Sequence, residues 1–292
     1  MNAAVPTNTD AVCETVWLED CAVFRILRAR KLNALTKGVL EGLSACLDEA
    51  EARGVRALVI VGQGEKAFCA GTDLAELTGL SNEARAAKTR FARDLLVRLH
   101  RSKVVSIAAV NGLAFGGGLE LALACTFRIA APHATFSLPE VKLGVFPVYG
   151  GTQFLPAVVG PARAVDIMIT GRTIDCAEAL AMGLISRVAG TDGNPSVSPS
   201  AIALGKVVAA TAGPMSAERL VDQALILARS VTCWSQVAVN AIRACVEASD
   251  TDVSDAGLAS EDVQSAIVMS SEDGREGVRA FVEKRAPVFR HR

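Results

Sequence analysis

Apolar residues gather along this chain in two rhythms. Short runs rich in Val, Ile and Ala fall at residues 21–27 (CAVFRIL), 57–61, 104–110 and 127–130, and read as strands. Between the first two, Val39, Leu40, Leu43, Leu47 and Ala50 recur near helical spacing and predict a helix over residues 37–53. Residues 83–100 predict a second helix, amphipathic and basic on one side, and residues 117–125 an apolar third. Strands alternating with helices over long crossovers imply an α/β fold. The segment AGTDGNPSVSPS, residues 189–200, has the composition of a loop or linker. Beyond it helical patterns cover residues 201–212, 216–231, 234–248 and 271–284. In the last of these Ser271 is an expected N-cap, with Glu272 and Asp273 in the first turn. The expected organisation is a mobile tail over residues 1–12, an α/β body over 13–200 and a helical region over 201–292.

Composition narrows the classes. Of 292 residues, 51% are apolar, enough for a sizeable core and against disorder. The 30 basic and 31 acidic residues leave a net charge of -1, and no basic block is dense enough for a nucleic-acid or membrane surface. The set Lys88, Arg90, Arg93, Arg98 and Arg101 reads as a solvated helix face, and Arg28, Arg30 and Lys31 form a smaller cluster. Residues 104–119 are the most membrane-like stretch, but Ser106, Asn111 and several glycines interrupt it and Glu120 closes it. Eight cysteines form no CxxC pair, and three histidines are too few for a zinc site, so no metal is expected. Reduced thiols and an N-terminus without the basic flank and apolar core of a secretory signal point to the cytoplasm.

The candidate chemistry begins with two carboxylates out of character. Glu120 interrupts the apolar run GGGLELALAC, and Glu140 follows a proline in FSLPEVKLGVFP. A charge that becomes buried must be neutralised, paired or used. Two strand-to-helix glycine turns accompany them: FCAGTDL with Gly71, and, close to Glu120, NGLAFGGGLEL with Gly116, Gly117 and Gly118. Such turns expose backbone N–H groups and let a ligand approach closely. The spacing is not GxGxxG, and no GK[ST] follows, so neither a dinucleotide site nor a phosphate loop is indicated. One N–H from each turn, converging on one oxygen, would form an oxyanion hole. Taken singly, each turn is better explained by close packing, Glu120 by pairing with a neighbouring Arg such as Arg128, and Asp73 by favouring its own helix N-terminus.

Together these segments resemble the crotonase superfamily, the enoyl-CoA hydratases and isomerases. So do SLPEVKLGVFPVYGGTQFLP (137–156), ALAMGLISRVA (179–189) and SEDGREGVRAFVEKR (271–285), in unbroken family order. The resemblance implies a spiral of ββα units with a C-terminal helical trimerisation region, and a homotrimer or dimer of trimers. It places the oxyanion-hole donors on the backbone N–H of Thr72 and Gly117, and the hydratase branch's two catalytic carboxylates on Glu120 and Glu140. It places substrate or coenzyme A contacts at Arg30, Lys31, Ala70, Asp73, Leu74, Gly116, Phe281 and Lys284, with Val148 and Tyr149 at the acyl pocket. No further cofactor is implied, since coenzyme A is the handle of the acyl-CoA thioester substrate.

The implied reaction is addition of water across the 2,3 double bond of a 2-enoyl-CoA. Negative charge develops on the thioester oxygen, where two preorganised donors stabilise it. On this reading Glu140 is the main base toward water and Glu120 its partner and acid, with apolar neighbours raising the Glu120 pKa. Four positions depart from the hydratase pattern: Val148 replaces a glycine beside the expected water, and Thr126, Ala75 and Phe154 replace charged residues. These leave open an enoyl-CoA isomerase, another acyl-CoA enzyme of this fold, or a non-catalytic acyl-CoA-binding protein.

Overall fold

The computed structural model describes residues 11–190, 215–247 and 255–292. It divides into two compact units. Of the described residues, 11–190 and 215–225 form the first, and 226–247 and 255–292 the second.

The first unit is built from a repeated step. A six-stranded sheet contains β1 (Cys13–Trp17), β2 (Cys21–Ile26), β3 (Ala57–Gly62), β5 (Val105–Val110), β7 (Phe127–Ala130) and β10 (Arg187–Val188), in that spatial order. All its pairs are parallel except β1 with β2. A four-stranded sheet runs β4 (Ala67–Cys69), β6 (Leu113–Phe115), β8 (Thr135–Ser137) and β9 (Ile174–Asp175), parallel until β9 reverses. The pairs β3–β4, β5–β6 and β7–β8 each send one strand to the larger sheet and the next to the smaller, and a helix follows. This is the expected spiral of ββα units. Every residue of β3 and β5 is buried, as befits parallel strands covered on both faces.

Helix α1 (Lys37–Ala52) buries Val39, Leu40, Leu43, Cys46, Leu47 and Ala50 along one stripe, and Thr36 caps it by accepting from the Val39 amide. A single turn, α2 (Leu74–Leu77), precedes α3 (Asn82–Arg101), capped by Ser81. Helix α4 (Gly117–Ala124) is buried on all sides, which is why its one charged residue, Glu120, is buried too. Next come a 3-10 turn (Glu140–Leu143), α5 (Gly151–Val159), α6 (Pro161–Thr170) and α7 (Cys176–Ala181). The expected strands and helices of the body stand within one or two residues of these bounds. Helices α5 and α6 and the short second sheet were not read from the pattern.

Helix α8 (Ala217–Thr232) begins in the first unit; the second carries α9 (Gln236–Glu247), α10 (Asp255–Ser270) and α11 (Glu272–Val282). Ser271 caps α11, its hydroxyl accepting from the Gly274 amide at 2.9 Å. Asp273, buried, accepts the amides of Arg290 at 2.6 Å and His291 at 2.9 Å, so the C-terminal segment folds back on α11. Of the expected tail over residues 1–12, residues 1–10 lie outside the described residues, as do the linker beyond residue 190 and the helix over 201–212, while Val12 is tied to the body, its carbonyl accepting from the Leu27 amide at 2.9 Å. No single helix among the described residues is long and apolar enough to cross a membrane. All eight cysteines are free thiols.

Candidate active site

Strand β4 ends at Cys69, and the chain turns sharply over the next four residues. Gly71 has φ +98, a left-handed value that disfavours any side chain. A Cβ there would lie 2.9 Å from the Phe115 carbonyl oxygen and 3.1 Å from the Gly117 nitrogen. The two glycine turns, 46 residues apart in sequence, are therefore in contact. Most amides of the first turn are committed. Ala70 donates to the Leu32 carbonyl at 2.9 Å, Gly71 to the Cys69 sulfur at 3.4 Å, and Asp73 to the Leu35 carbonyl at 3.1 Å. Among the described residues, the Thr72 amide has no acceptor.

The second turn presents a matching donor. Gly116 has φ +53 and ψ -129, a conformation suited to glycine, and donates to the Ser137 carbonyl. It sits at the N-cap of α4 without a capping side chain. The Gly117 amide, in the first turn of the helix, takes no acceptor among the described residues. The partial positive charge of the helix N-terminus adds to its donor strength. A Cβ on Gly118 would stand 2.0 Å from the Cys69 carbonyl oxygen, so glycine is required for α4 to lie this close to β4.

One turn further along α4, Glu120 is 2% exposed. Its Oε1 accepts the amides of Tyr149 and Gly151, each at 2.8 Å. These two N–H groups bracket Gly150, whose φ of +113 curls the backbone around the carboxylate. Burial, with a smaller push from the nearby charge of Glu140, lifts the Glu120 pKa to about 7 against the two N–H bonds. Glu140, at the start of the 3-10 turn, comes from the other side. A Cβ on Gly116 would meet its Oε1 at 3.1 Å. Its Oε2 is buried without a hydrogen-bond partner, and burial raises its pKa as well. Two carboxyls with raised pKa values thus flank a pair of uncommitted backbone donors. Arg128 does not pair with Glu120. It donates to the carbonyls of Leu184 at 2.7 Å and Cys125 at 2.8 Å.

The family model described as enoyl-CoA hydratase/isomerase matches residues 19–210. The chain belongs to this family. A probable enoyl-CoA hydratase from Rhizobium meliloti is 36% identical over 91% of this chain and 92% of its own length. A crotonyl-CoA hydratase from Syntrophomonas wolfei is 33% identical over 93% of this chain and 95% of its own. A crystal structure of an enoyl-CoA hydratase from Bacillus anthracis superposes with a TM-score of 0.82 at 30% identity, covering 96% of this chain and all of that one.

Other residues singled out from this crotonase-family sequence are placed as follows. Ala70 and Leu74 flank the first turn, and Leu74 is exposed. Asp73 accepts from the Ala75 amide as N-cap of α2 and pairs with Arg28 at 2.8 Å, which holds its carboxyl below the usual range. Arg30 and Lys31 are exposed on a 3-10 turn (Ala29–Lys31) before α1. Val148, on the loop between Glu140 and Gly150, is partly exposed. Phe281 and Lys284 belong to the second unit. Phe281 is 84% exposed, and Lys284 adopts a left-handed φ of +55 just beyond α11. Tyr149 is buried. Its hydroxyl accepts a hydrogen bond from the Thr72 hydroxyl at 2.9 Å, a link between residues 77 positions apart that no local pattern announces. Among the described residues, no group of three or more His, Cys, Asp or Glu is placed to hold a metal ion.

Proposed function

We propose that this family member is an enoyl-CoA hydratase, adding water across the 2,3 double bond of a 2-enoyl-CoA thioester. The observation that carries the reading is the juxtaposition of two buried carboxyls, Glu120 and Glu140, with the uncommitted amides of Thr72 and Gly117. In this reading the thioester oxygen takes both N–H bonds. As the oxygen of water bonds to C3, the π electrons move to the thioester oxygen, where the two donors stabilise the charge. One carboxyl, ionised, accepts the water proton, and the other, neutral, delivers a proton to C2. Two neighbouring carboxyls of raised pKa suit this division, because they resist ionising together. Glu140 is assigned as base and Glu120 as acid, in keeping with the pKa near 7 of Glu120.

The coenzyme A handle would be held by Arg30 and Lys31, alongside Ala70, Asp73, Leu74 and Gly116, and the family resemblance assigns Phe281 and Lys284 to coenzyme A contacts often made across a subunit boundary. Val148 and Tyr149 would bound a short or branched acyl group. Isomerases share the family model, and solvent oxygen separates the two reactions. In water enriched in oxygen-18, a hydratase yields a 3-hydroxyacyl product carrying one labelled atom. A product of unchanged mass with a shifted double bond would mean isomerisation and overturn the proposal.

A further inference from the structure

Three parts of Tyr149 touch three parts of the site. Its hydroxyl accepts from the Thr72 hydroxyl at 2.9 Å. Its ring lies against Gly117, where a Cβ would sit 3.1 Å from ring carbons Cδ2 and Cε2. Its amide donates to Glu120 Oε1 at 2.8 Å. The residue is 2% exposed, and burial is the main cause of its raised pKa, so the phenol stays neutral. Thr72 sits in the turn whose own amide is uncommitted, and that turn is fixed on its far side through Leu35. The Leu35 amide donates to the Gly71 carbonyl at 2.7 Å, and the Leu35 carbonyl accepts from Asp73. No described backbone bond restrains Thr72 from the side of α4. The Tyr149 hydroxyl supplies that restraint.

We propose that Tyr149 is a positioning residue that holds the Thr72 and Gly117 amides in register with Glu120, acting through its hydroxyl on Thr72 and its ring on Gly117. The inference rests on reading the two turns as an oxyanion hole and goes beyond it by naming what sets their spacing. An N–H donor stabilises developing charge only at hydrogen-bond distance and alignment, so a turn free to drift by a fraction of an ångström loses rate without losing affinity.

The test uses Tyr149→Phe and Thr72→Val in the full-length protein. Both keep volume and delete one side of the hydroxyl pair. Each variant should lower kcat by about three- to tenfold with KM nearly unchanged, and the double variant should do no worse than either alone. The second readout is the carbonyl carbon-13 resonance of bound butyryl-CoA, a saturated thioester that cannot be hydrated. In the native protein it should move downfield on binding, and in both variants the displacement should shrink. A merely structural tyrosine would alter melting temperature but not this resonance. A displaced native resonance left unchanged by Tyr149→Phe, with unchanged kcat, would overturn the role of Tyr149 alone. An undisplaced resonance in the native protein would overturn the oxyanion reading and the positioning role together.

Discussion

A carboxyl that is 2% exposed and accepts two backbone N–H bonds on one oxygen is pulled both ways. Burial favours its neutral form, the N–H bonds favour the charge, and for Glu120 burial wins, lifting the pKa from 4.5 to about 7. The sign of the consequence follows. A folded-state pKa above the unfolded one contributes stability that is full below pH 4.5 and is lost as pH rises through about 7. Glutamine at this position keeps an oxygen for both amides but does not titrate. Glu120→Gln should therefore gain on the native chain by up to about 3 kcal/mol at pH 8, and the gap should close toward pH 4.5. Melting temperatures of both proteins across that range check this; a gap independent of pH would contradict it. At this scale the two glutamates were legible because each interrupts an apolar context. The part played by Tyr149 was not, because Thr72 on one side, and Gly117 and Glu120 of α4 on the other, reach it from segments distant in sequence.

The elements carry the site by close approach. Helix α4 can begin against β4 only because Gly118 has no side chain where the Cys69 carbonyl lies. Gly118→Ala should cost roughly 1–3 kcal/mol or more in stability, since the obstacle is backbone and cannot swing aside. Shifting α4 also moves the Gly117 amide and Glu120, so kcat/KM should fall on the order of 10²-fold where the variant is folded. Chemical denaturation and steady-state kinetics on the same preparation measure both, and a variant of native stability and rate would refute the packing argument. Strands β2, β3, β5 and β7 were legible as short, largely apolar runs with β-branched residues. The second sheet was not, because its strands are two or three residues long, too short for alternation to register. Helices α5 and α6 were hidden by residues that usually break helices. Pro156 lies inside α5, Gly160 with φ +82 separates the two, and Pro161 opens α6 where no amide is needed.

At the scale of the molecule, the second unit leaves large apolar side chains exposed. They include Ile242 and Val246 on α9, Val263 and Ile267 on α10, and Val278, Phe281 and Val282 on α11. Faces of this kind on packed helices are suited to burial against other copies of the chain. The family resemblance implies that this assembly is a trimer or a dimer of trimers, checked by native mass spectrometry; a monomer at micromolar concentration would contradict this. The helical character of the C-terminal region was readable from the change of pattern after residue 200, but the unit boundary was not, since residues 215–225 belong to the first unit. The handing of successive strands to two different sheets was not, because pairing is decided over long sequence separations.

The most direct measurement is the loss of enoyl-thioester absorbance with crotonyl-CoA, for the native chain, Glu120→Gln and Glu140→Gln. The account predicts rapid loss with the native protein, slowed roughly 10²–10⁴-fold in each variant while thioester binding persists. Native turnover that survives either substitution, or a native protein that binds the thioester without consuming it, would contradict a two-carboxylate hydratase.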